Sequence, residues 1–265
     1  MNVLGFLKVV FGLAAMLFLL APLAAILPLA FTDSVFLNYP IASYSTRWFN
    51  ELVTADVWRR SIINSLIIGF GTTVLATVLG TLAALGLRRQ EASWLFASAR
   101  TAFLLPMVVP AVVLGVGMQL MFASYNLANS YLGVIIAHTV IAVPFVVINV
   151  SAVLQAIEPR LEQAAASLGA APPTVLARVT LPLAAPGIIS GAVFAFATSL
   201  DEVVLTLFVA GPNQRTLARQ MFSSIRENIS PSIAAAALIF ILGTIAAATV
   251  LNVLRRYRKP ARAAP

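Results

Sequence analysis

Residues 101–157 read TAFLLPMVVPAVVLGVGMQLMFASYNLANSYLGVIIAHTVIAVPFVVINVSAVLQAI and contain no Asp, Glu, Lys or Arg. A bilayer core of ~30 Å is crossed by about 20 apolar residues in a helix that rises about 1.5 Å per residue. The run is long enough for two crossings, and its middle carries the polar segment SYNLANS, residues 124–130, which favours a chain reversal. The stretch therefore predicts two transmembrane helices joined by a short turn.

The rest of the chain has the same organisation. Of its 265 residues 60% are hydrophobic and 10% are charged, against roughly 25% charged in soluble domains. We predict an all-α integral membrane protein with one permease domain, 1–265, and six transmembrane helices. The predicted spans lie near 9–31, 61–87, 101–123, 132–154, 183–209 and 233–254. We expect the first to be retained, because it is longer than the apolar region of about 7–15 residues in a cleaved signal peptide.

The Lys and Arg residues indicate which side of the membrane each loop occupies, because cytoplasmic loops are enriched in both. With six spans and a cytoplasmic N-terminus, eleven Lys and Arg residues fall in cytoplasmic segments and six in outer segments. We therefore expect a multi-pass protein of the bacterial inner membrane with both termini in the cytoplasm. The net charge of +8 is concentrated in the cytoplasmic segments, so it does not predict nucleic-acid binding.

The chain has no cysteine and one histidine. Disulfides, thiolate metal sites and cysteine nucleophiles are thereby excluded. His138 lies within the fourth predicted span, where an ionisable group is costly and tends to be functional, as a proton relay or a ligand. A neutral imidazole bonded to a neighbouring helix is the alternative, and we favour it because one histidine cannot build a metal site.

The segment between the fourth and fifth predicted spans, residues 158–182, reads EPRLEQAAASLGAAPPTVLARVTLP. Pro159 suits the first turn of a helix, and apolar residues at 161, 164, 165 and 168 share one helical face. Gly169 suits a helix end, and the two prolines at 172 and 173 begin a second short helix over 174–179. The pattern predicts a helix, a tight turn and a second helix on the membrane surface, a shape suited to docking.

Seven residues of this loop resemble the EAA motif of type I binding-protein-dependent ABC importers, which runs E-A-A, three residues, G, nine residues and I-x-L-P. They are Glu162, Ala164, Ala165, Gly169, Val179, Leu181 and Pro182. The spacing matches, and the departures are Gln163 within the E-A-A element and Val179 in place of isoleucine. The resemblance implies the ABC type-1 transmembrane fold, with a core unit at about 60–255. It also implies a cytoplasmic coupling helix within 158–182, including Ala170 and Pro172, that sits in a cleft of an ATPase subunit.

The chain lacks the G-x-x-x-x-G-K-[ST] phosphate-binding loop, so we expect it to be a transport subunit and not an enzyme. The resemblance implies ATP and Mg on two partner ATPase subunits and no cofactor in this chain. It further implies a second permease subunit, expected to be a different chain, and a periplasmic or extracellular solute-binding protein.

Two adjacent carboxylates, Asp201 and Glu202, stand in the otherwise apolar fifth span. Each costs roughly 2.5–3.5 kcal/mol at a helix centre, so the pair should face protein, water or a cationic ligand. A negative site in a translocation path would suit a positively charged solute. Alternatively, both lie near the outer membrane surface, in solvent or paired with Arg215 or Arg219.

The segment from Ser199 to Glu202, with the later Gly211-Pro212 and Ser230-Pro231 turns, is similar to the second permease of spermidine/putrescine ABC importers. The likeness extends to the outer loop around Trp48. A tryptophan there could stack on an ammonium group, or it could belong to the aromatic belt at the membrane interface.

The leading hypothesis is thus a permease for a small cationic solute, a polyamine above all. Another small organic solute or a metal ion remains an alternative within the same class. An ion-coupled secondary transporter would need no ATPase, but the loop motif and the lack of inverted repeats speak against it. A membrane-embedded hydrolase or transferase would need more polar groups at one depth than Asp201 and Glu202 provide.

Overall fold

The computed structural model describes residues 3–88, 94–227 and 229–257, and no strand occurs among them beyond an isolated β-bridge between Thr32 and Tyr44. The regular structure is helical, which confirms the all-α prediction. In chain order the helices are α1 Val3–Ile26, α2 Arg47–Thr54, α3 Asp56–Leu87, α4 Trp94–Leu104, α5 Ala111–Ser124, α6 Tyr131–Gln155, α7 Pro159–Ser167, α8 Pro172–Val175, α9 Leu181–Asp201, α10 Val204–Val209, α11 Leu217–Glu227 and α12 Ser232–Tyr257.

Four continuous helical segments in the described residues are long and apolar enough to cross a membrane. They are Gly5–Phe31, Asp56–Leu87, Tyr131–Gln155 and Pro172–Asp201. A bent pair, Phe96–Met107 with Ala111–Ser124, makes a fifth candidate if it is counted as one span. The sixth predicted span falls in α12, whose first part, Ser232–Ile245, is an apolar helix.

The third predicted span, 101–123, is a sharply bent pair of helices and not one continuous helix. The chain bends by 98° between Phe96–Met107 and Ala111–Ser124. Pro106 lies in a 3₁₀ turn, Leu105–Met107, and Pro110 precedes the first residue of α5 with an extended ψ of 130°. Each proline removes a backbone donor and the residue before it disfavours helical geometry, so the two together break the helix.

The fifth predicted span also needs correction at both ends. The expected separate helix over 174–179 is continuous with the span, because a π-helical turn, Leu176–Thr180, joins α8 to α9. The Leu181 N–H bonds the Leu176 carbonyl in this wider turn, and the helix passes Pro182 without ending. At the far end the helix stops at Asp201, and Val204 starts α10 after a break of two residues.

The chain divides into two compact units, and the single permease domain over 1–265 stays a prediction. The first unit comprises 1–59 with 221–247, and the second comprises 60–220 with 248–265. In the first unit, the short turn Leu27–Phe31 and α2 supply the buried residues Leu29, Trp48 and Leu52. The start of the second unit coincides with the start of the predicted core at 60.

The second unit is built around α6, which packs against α3 and α9. Its inner face buries alanine and valine side chains, among them Ala142, Val146 and Val150. A Cβ added at Gly80 would lie 2.6 Å from the Val146 side chain, and one added at Gly191 would lie 2.9 Å from its Cα. Helices α3 and α9 therefore approach Val146 more closely than a residue larger than glycine at position 80 or 191 would permit. Small residues allow such close packing in membrane bundles.

Candidate functional site

The loop between α6 and α9 has the predicted first helix and tight turn, whereas the predicted second helix runs on into α9. The Glu158 backbone is extended just before α7, and Pro159 occupies the first turn. Beyond Leu168 the chain reverses at Gly169, whose φ of +83° is a left-handed conformation. The Gly169 N–H bonds the Ala166 carbonyl at 2.9 Å, and the next N–H, of Ala170, reaches back to Ala165 at 3.1 Å. This is a glycine-terminated helix of the ordinary kind.

Glu162, the acidic residue of the loop motif, faces the protein. Its Oε1 accepts hydrogen bonds from Arg88 Nη1 at 2.7 Å and from the Thr180 hydroxyl at 2.6 Å. The second guanidinium nitrogen of Arg88 donates to the Ile157 carbonyl at 3.3 Å. The sequence analysis missed Arg88 because 74 residues separate it from Glu162.

The exposed surface of the loop carries large apolar side chains among polar and charged ones. Leu168 is 90% exposed at the turn and Leu161 is 48% exposed on α7. Of the predicted coupling residues, Ala164, Gly169, Pro172 and Pro182 are exposed, whereas Ala165, Ala170, Val179 and Leu181 are half-buried. A cleft of about 860 Å³ opens beside them, between α7, α8 and the end of α3.

Asp201 and Glu202 occupy different environments although they are adjacent. Asp201 is the exposed last residue of α9. Glu202 is half-buried in the break, and its Oε1 accepts a hydrogen bond from the Leu205 N–H at 2.8 Å. That bond satisfies a free donor in the first turn of α10. Glu202 therefore already has a structural role, whereas Asp201 is open to a ligand.

The two arginines considered as alternative partners for these carboxylates bond elsewhere. Arg215 donates to the Gln220 side chain at 2.9 Å. Arg219 donates to the carbonyls of Thr206 at 3.1 Å and Ala210 at 2.7 Å, at the end of α10. Burial, and secondarily the nearby Arg215 charge, lower the pKa of Arg219 below its usual value. Within the part of the chain that the structure describes, neither arginine forms an ion pair with Asp201 or Glu202.

His138 is fully buried and joins α6 to both sides of the break. Its Nδ1 lies 2.8 Å from the Ser199 hydroxyl on α9, and its Nε2 lies 3.0 Å from the Thr206 hydroxyl on α10. Thr206 already donates its proton to the Glu202 carbonyl. Nε2 therefore donates to Thr206, and in a neutral ring Nδ1 would accept from the Ser199 hydroxyl. This agrees with the favoured alternative of a histidine bonded to a neighbouring helix.

Trp48 belongs to the first unit and is only 6% exposed. Its indole N–H donates to the Thr32 carbonyl at 2.8 Å, and the Arg47 guanidinium carbon lies 4.4 Å from the ring centroid. Arg47 in turn lies 3.6 Å from Asp33. The ring thus already has a cation over one face, supplied by the chain itself.

The described residues also contain no group of three or more His, Asp or Glu side chains placed to hold a metal ion.

Similarity to known proteins agrees with this geometry. A family model described as "Binding-protein-dependent transport system inner membrane component" matches residues 76–262. The putrescine transport system permease protein PotI of Escherichia coli (strain K12) is 34% identical over 247 residues, which cover 90% of this chain and 86% of PotI. The molybdenum transport system permease protein ModB of Mycobacterium bovis is 35% identical over 243 residues, which cover 84% of this chain and 90% of ModB.

The fold is likewise that of a solved importer. A chain of a bacterial ABC transporter involved in the import of the acidic polysaccharide alginate matches with a TM-score of 0.70 and 14% identity, over 97% of both chains. Because the family match covers most of the sequence, this chain belongs to the inner membrane components of binding-protein-dependent transport systems, and it is a multi-pass transport subunit rather than an enzyme.

Proposed function

We propose that this chain is the permease subunit of an ABC importer that carries a small cationic solute, a polyamine such as putrescine or spermidine, across the inner membrane. The observation that carries the proposal is Asp201, an exposed carboxylate at the point where the fifth span breaks. An ammonium group within ~4–6 Å would favour the ionised carboxylate, and the carboxylate would favour the cation. The 34% identity to a putrescine permease supports the same solute class.

A second candidate is import of another small organic solute or a metal ion, because a molybdenum permease is 35% identical. The two candidates make opposite demands on Asp201 if the metal travels as an oxyanion such as molybdate. A carboxylate in the path would repel an anion and attract a cation. The exposed charge therefore favours the polyamine.

The 158–182 loop is proposed to couple transport to ATP hydrolysis by docking on an ATPase subunit. The exposed Leu161 and Leu168 would supply apolar contacts for docking. The loop also borders a cleft of about 860 Å³, lined in part by Arg88, Glu162 and Thr180. The docking residues are proposed to be the exposed loop residues around the Gly169 turn, whereas Glu162 holds the loop to its own chain. ATP and Mg would be bound entirely by the partner.

The proposed assembly contains a second permease subunit, two ATPase subunits and an external solute-binding protein. Both termini and the docking loop are placed in the cytoplasm, on the basis of the Lys and Arg distribution. Trp48 is not proposed as a main solute contact, because the Arg47 guanidinium already occupies one face of its ring.

The test is uptake of labelled putrescine and of labelled molybdate by the reconstituted complex, with uptake normalised to the amount of assembled transporter. We expect putrescine import, and we expect Asp201→Asn to lower it by about ten-fold, equivalent to about 1.4 kcal/mol. Asp56→Asn is the matched control, because Asp56 is an acid outside the predicted spans that pairs with Arg59. Import of molybdate but not putrescine would refute the cationic assignment. Unchanged putrescine import by Asp201→Asn would show that this carboxylate is not part of the solute path.

A further inference from the structure

The ion pair between Arg88 and Glu162 joins segments that are far apart in the sequence. Arg88 follows the last residue of α3, and Glu162 lies in the first turn of α7. The same pair reaches Ile157, just beyond α6, and Thr180, in the π turn before α9. One guanidinium and one carboxylate therefore connect the ends of three membrane helices with the docking loop.

Helix α7 lies at the surface of the second unit. None of its residues is buried, so no apolar side chain anchors it in the core of the second unit. The side chains of Arg88 and Glu162 are only 17% and 20% exposed, so the pair is largely shielded from solvent. A charge-assisted bond in such a partly desolvated place is stronger and more directional than a surface ion pair.

The geometry of the pair requires an arginine. One nitrogen of the guanidinium bonds Glu162 while another bonds the Ile157 carbonyl, so the rigid fork fixes the distance between α7 and the end of α6. A lysine could satisfy the carboxylate but would not hold both partners in this planar arrangement. Glutamine would remove the Arg88 charge from the half-enclosed carboxylate, and the loss of one partner of a buried ion pair is costly.

We propose that Arg88 is a positioning residue for coupling: through Glu162 it locks α7 to the ends of α3 and α6, so that a displacement imposed on the loop moves the membrane helices with it. The proposal rests on the proposed function, in which the loop docks on an ATPase subunit. Arg88 itself touches neither solute nor nucleotide. Its role is mechanical transmission.

The first test measures the link itself. The chain contains no cysteine, so two cysteines introduced for spin labels are the only ones in it. Ser167→Cys places one label on the exposed last residue of α7, and Leu82→Cys places the other on α3, where Leu82 is 61% exposed. In the assembled complex we expect a narrow distance distribution, broadened in Arg88→Gln and in Glu162→Gln. Arg88→Lys should give an intermediate width.

The matched control is Arg100→Gln. It removes the same charge from the same end of the second unit, beside a neighbouring cavity of about 500 Å³ that Arg88 also lines. Arg100 forms no ion pair with a described residue. We therefore expect Arg100→Gln to keep the narrow distribution. A narrow distribution in Arg88→Gln would overturn the proposal whatever the transport activity.

The second test measures coupling as solute imported per ATP hydrolysed, at equal amounts of assembled complex. We expect this ratio to fall about five-fold or more in Arg88→Gln, a coupling loss of the size usual between linked sites, and to recover partly in Arg88→Lys. An unchanged ratio in Arg88→Gln would also overturn the proposal. Absence of ATP-driven import by the wild-type complex would instead refute the proposed function, and the label distances would still decide whether Arg88 positions the loop.

Discussion

Replacing Gly169 tests whether the shape of the docking loop depends on its backbone. Gly169 has a φ of +83°, and a Cβ added there would have no other atom of the chain within 4 Å. An alanine would therefore be strained only through its backbone. For residues other than glycine this conformation costs roughly 1–2 kcal/mol, and Asn tolerates it better than most. A penalty of that size reduces the population with an intact turn by about 5- to 30-fold.

The amount of solute imported per ATP should therefore be highest with glycine at position 169, lower with asparagine, lower again with alanine and lowest with valine. Crowding against a docked partner predicts the opposite order for Asn and Ala, because asparagine is larger. Two assays separate these effects. The first is solute import per ATP hydrolysed by the assembled complex. The second is tryptic cleavage at Arg160 and Arg178, exposed residues that flank the turn.

We expect cleavage to accelerate and import to become uncoupled in Gly169→Ala and Gly169→Val, with membrane insertion intact. Gly117→Ala is the control, since Gly117 lies in α5 without a left-handed φ, and a Cβ added there would also meet no atom within 4 Å. Wild-type import, ATP use and cleavage in both Gly169→Val and the bulkier Gly169→Leu would refute the argument.

Three further predictions concern the packing and topology of the membrane domain. His138→Phe removes the ring that bonds Ser199 and Thr206, so each of two buried hydroxyls loses one partner. We expect thermal unfolding of the detergent-solubilised protein to show a loss of about 1–3 kcal/mol, and unchanged stability would contradict the role of the ring. Gly191→Ala places a Cβ 2.9 Å from the Val146 Cα and should cost about 1–3 kcal/mol, whereas Gly117→Ala should be nearly neutral; equal behaviour of the two would refute the close packing. A reporter active only in the periplasm should give no signal when fused after Pro265 and a strong signal when inserted after Asn126, and the reverse result would overturn the proposed orientation.

The sequence predicted the four long apolar helices because charged residues are expensive inside a bilayer and therefore bound the apolar runs. The same reasoning could not find the 98° bend in the third span. Pro106 and Pro110 mark where the helix can be disturbed, but proline in a membrane helix is compatible with anything from a slight kink to a full break. The angle depends on what packs against the free backbone groups, which is tertiary information.

The functional loop was recognised from its motif, but the role of Glu162 was not. A motif locates a residue without giving the direction of its side chain. The partner of Glu162 lies 74 residues away, at the end of α3, and nothing in the local pattern marks Arg88 as different from the other basic residues near it. The π turn at Leu176–Thr180 was missed for a related reason, since no residue type specifies it.

The break after Asp201 gives the carboxylate a setting that composition alone does not reveal. As the last residue of α9, Asp201 stands at the end of a helix where carbonyl groups lack intrahelical partners and the helix dipole is negative. Glu202 caps the following helix through Leu205, so its charge is partly used by the free N–H groups of α10. The carbonyl end of α9 and the exposed Asp201 would therefore contribute to one negative field, as broken helices do around cations in other transporters. Asp201→Asn removes the carboxylate but keeps the helix end, so a preference for cations over anions should be weakened and not reversed. Reversal should require Asp201→Lys, and an Asp201→Lys complex that still prefers putrescine to molybdate would show that this end of α9 does not face the solute.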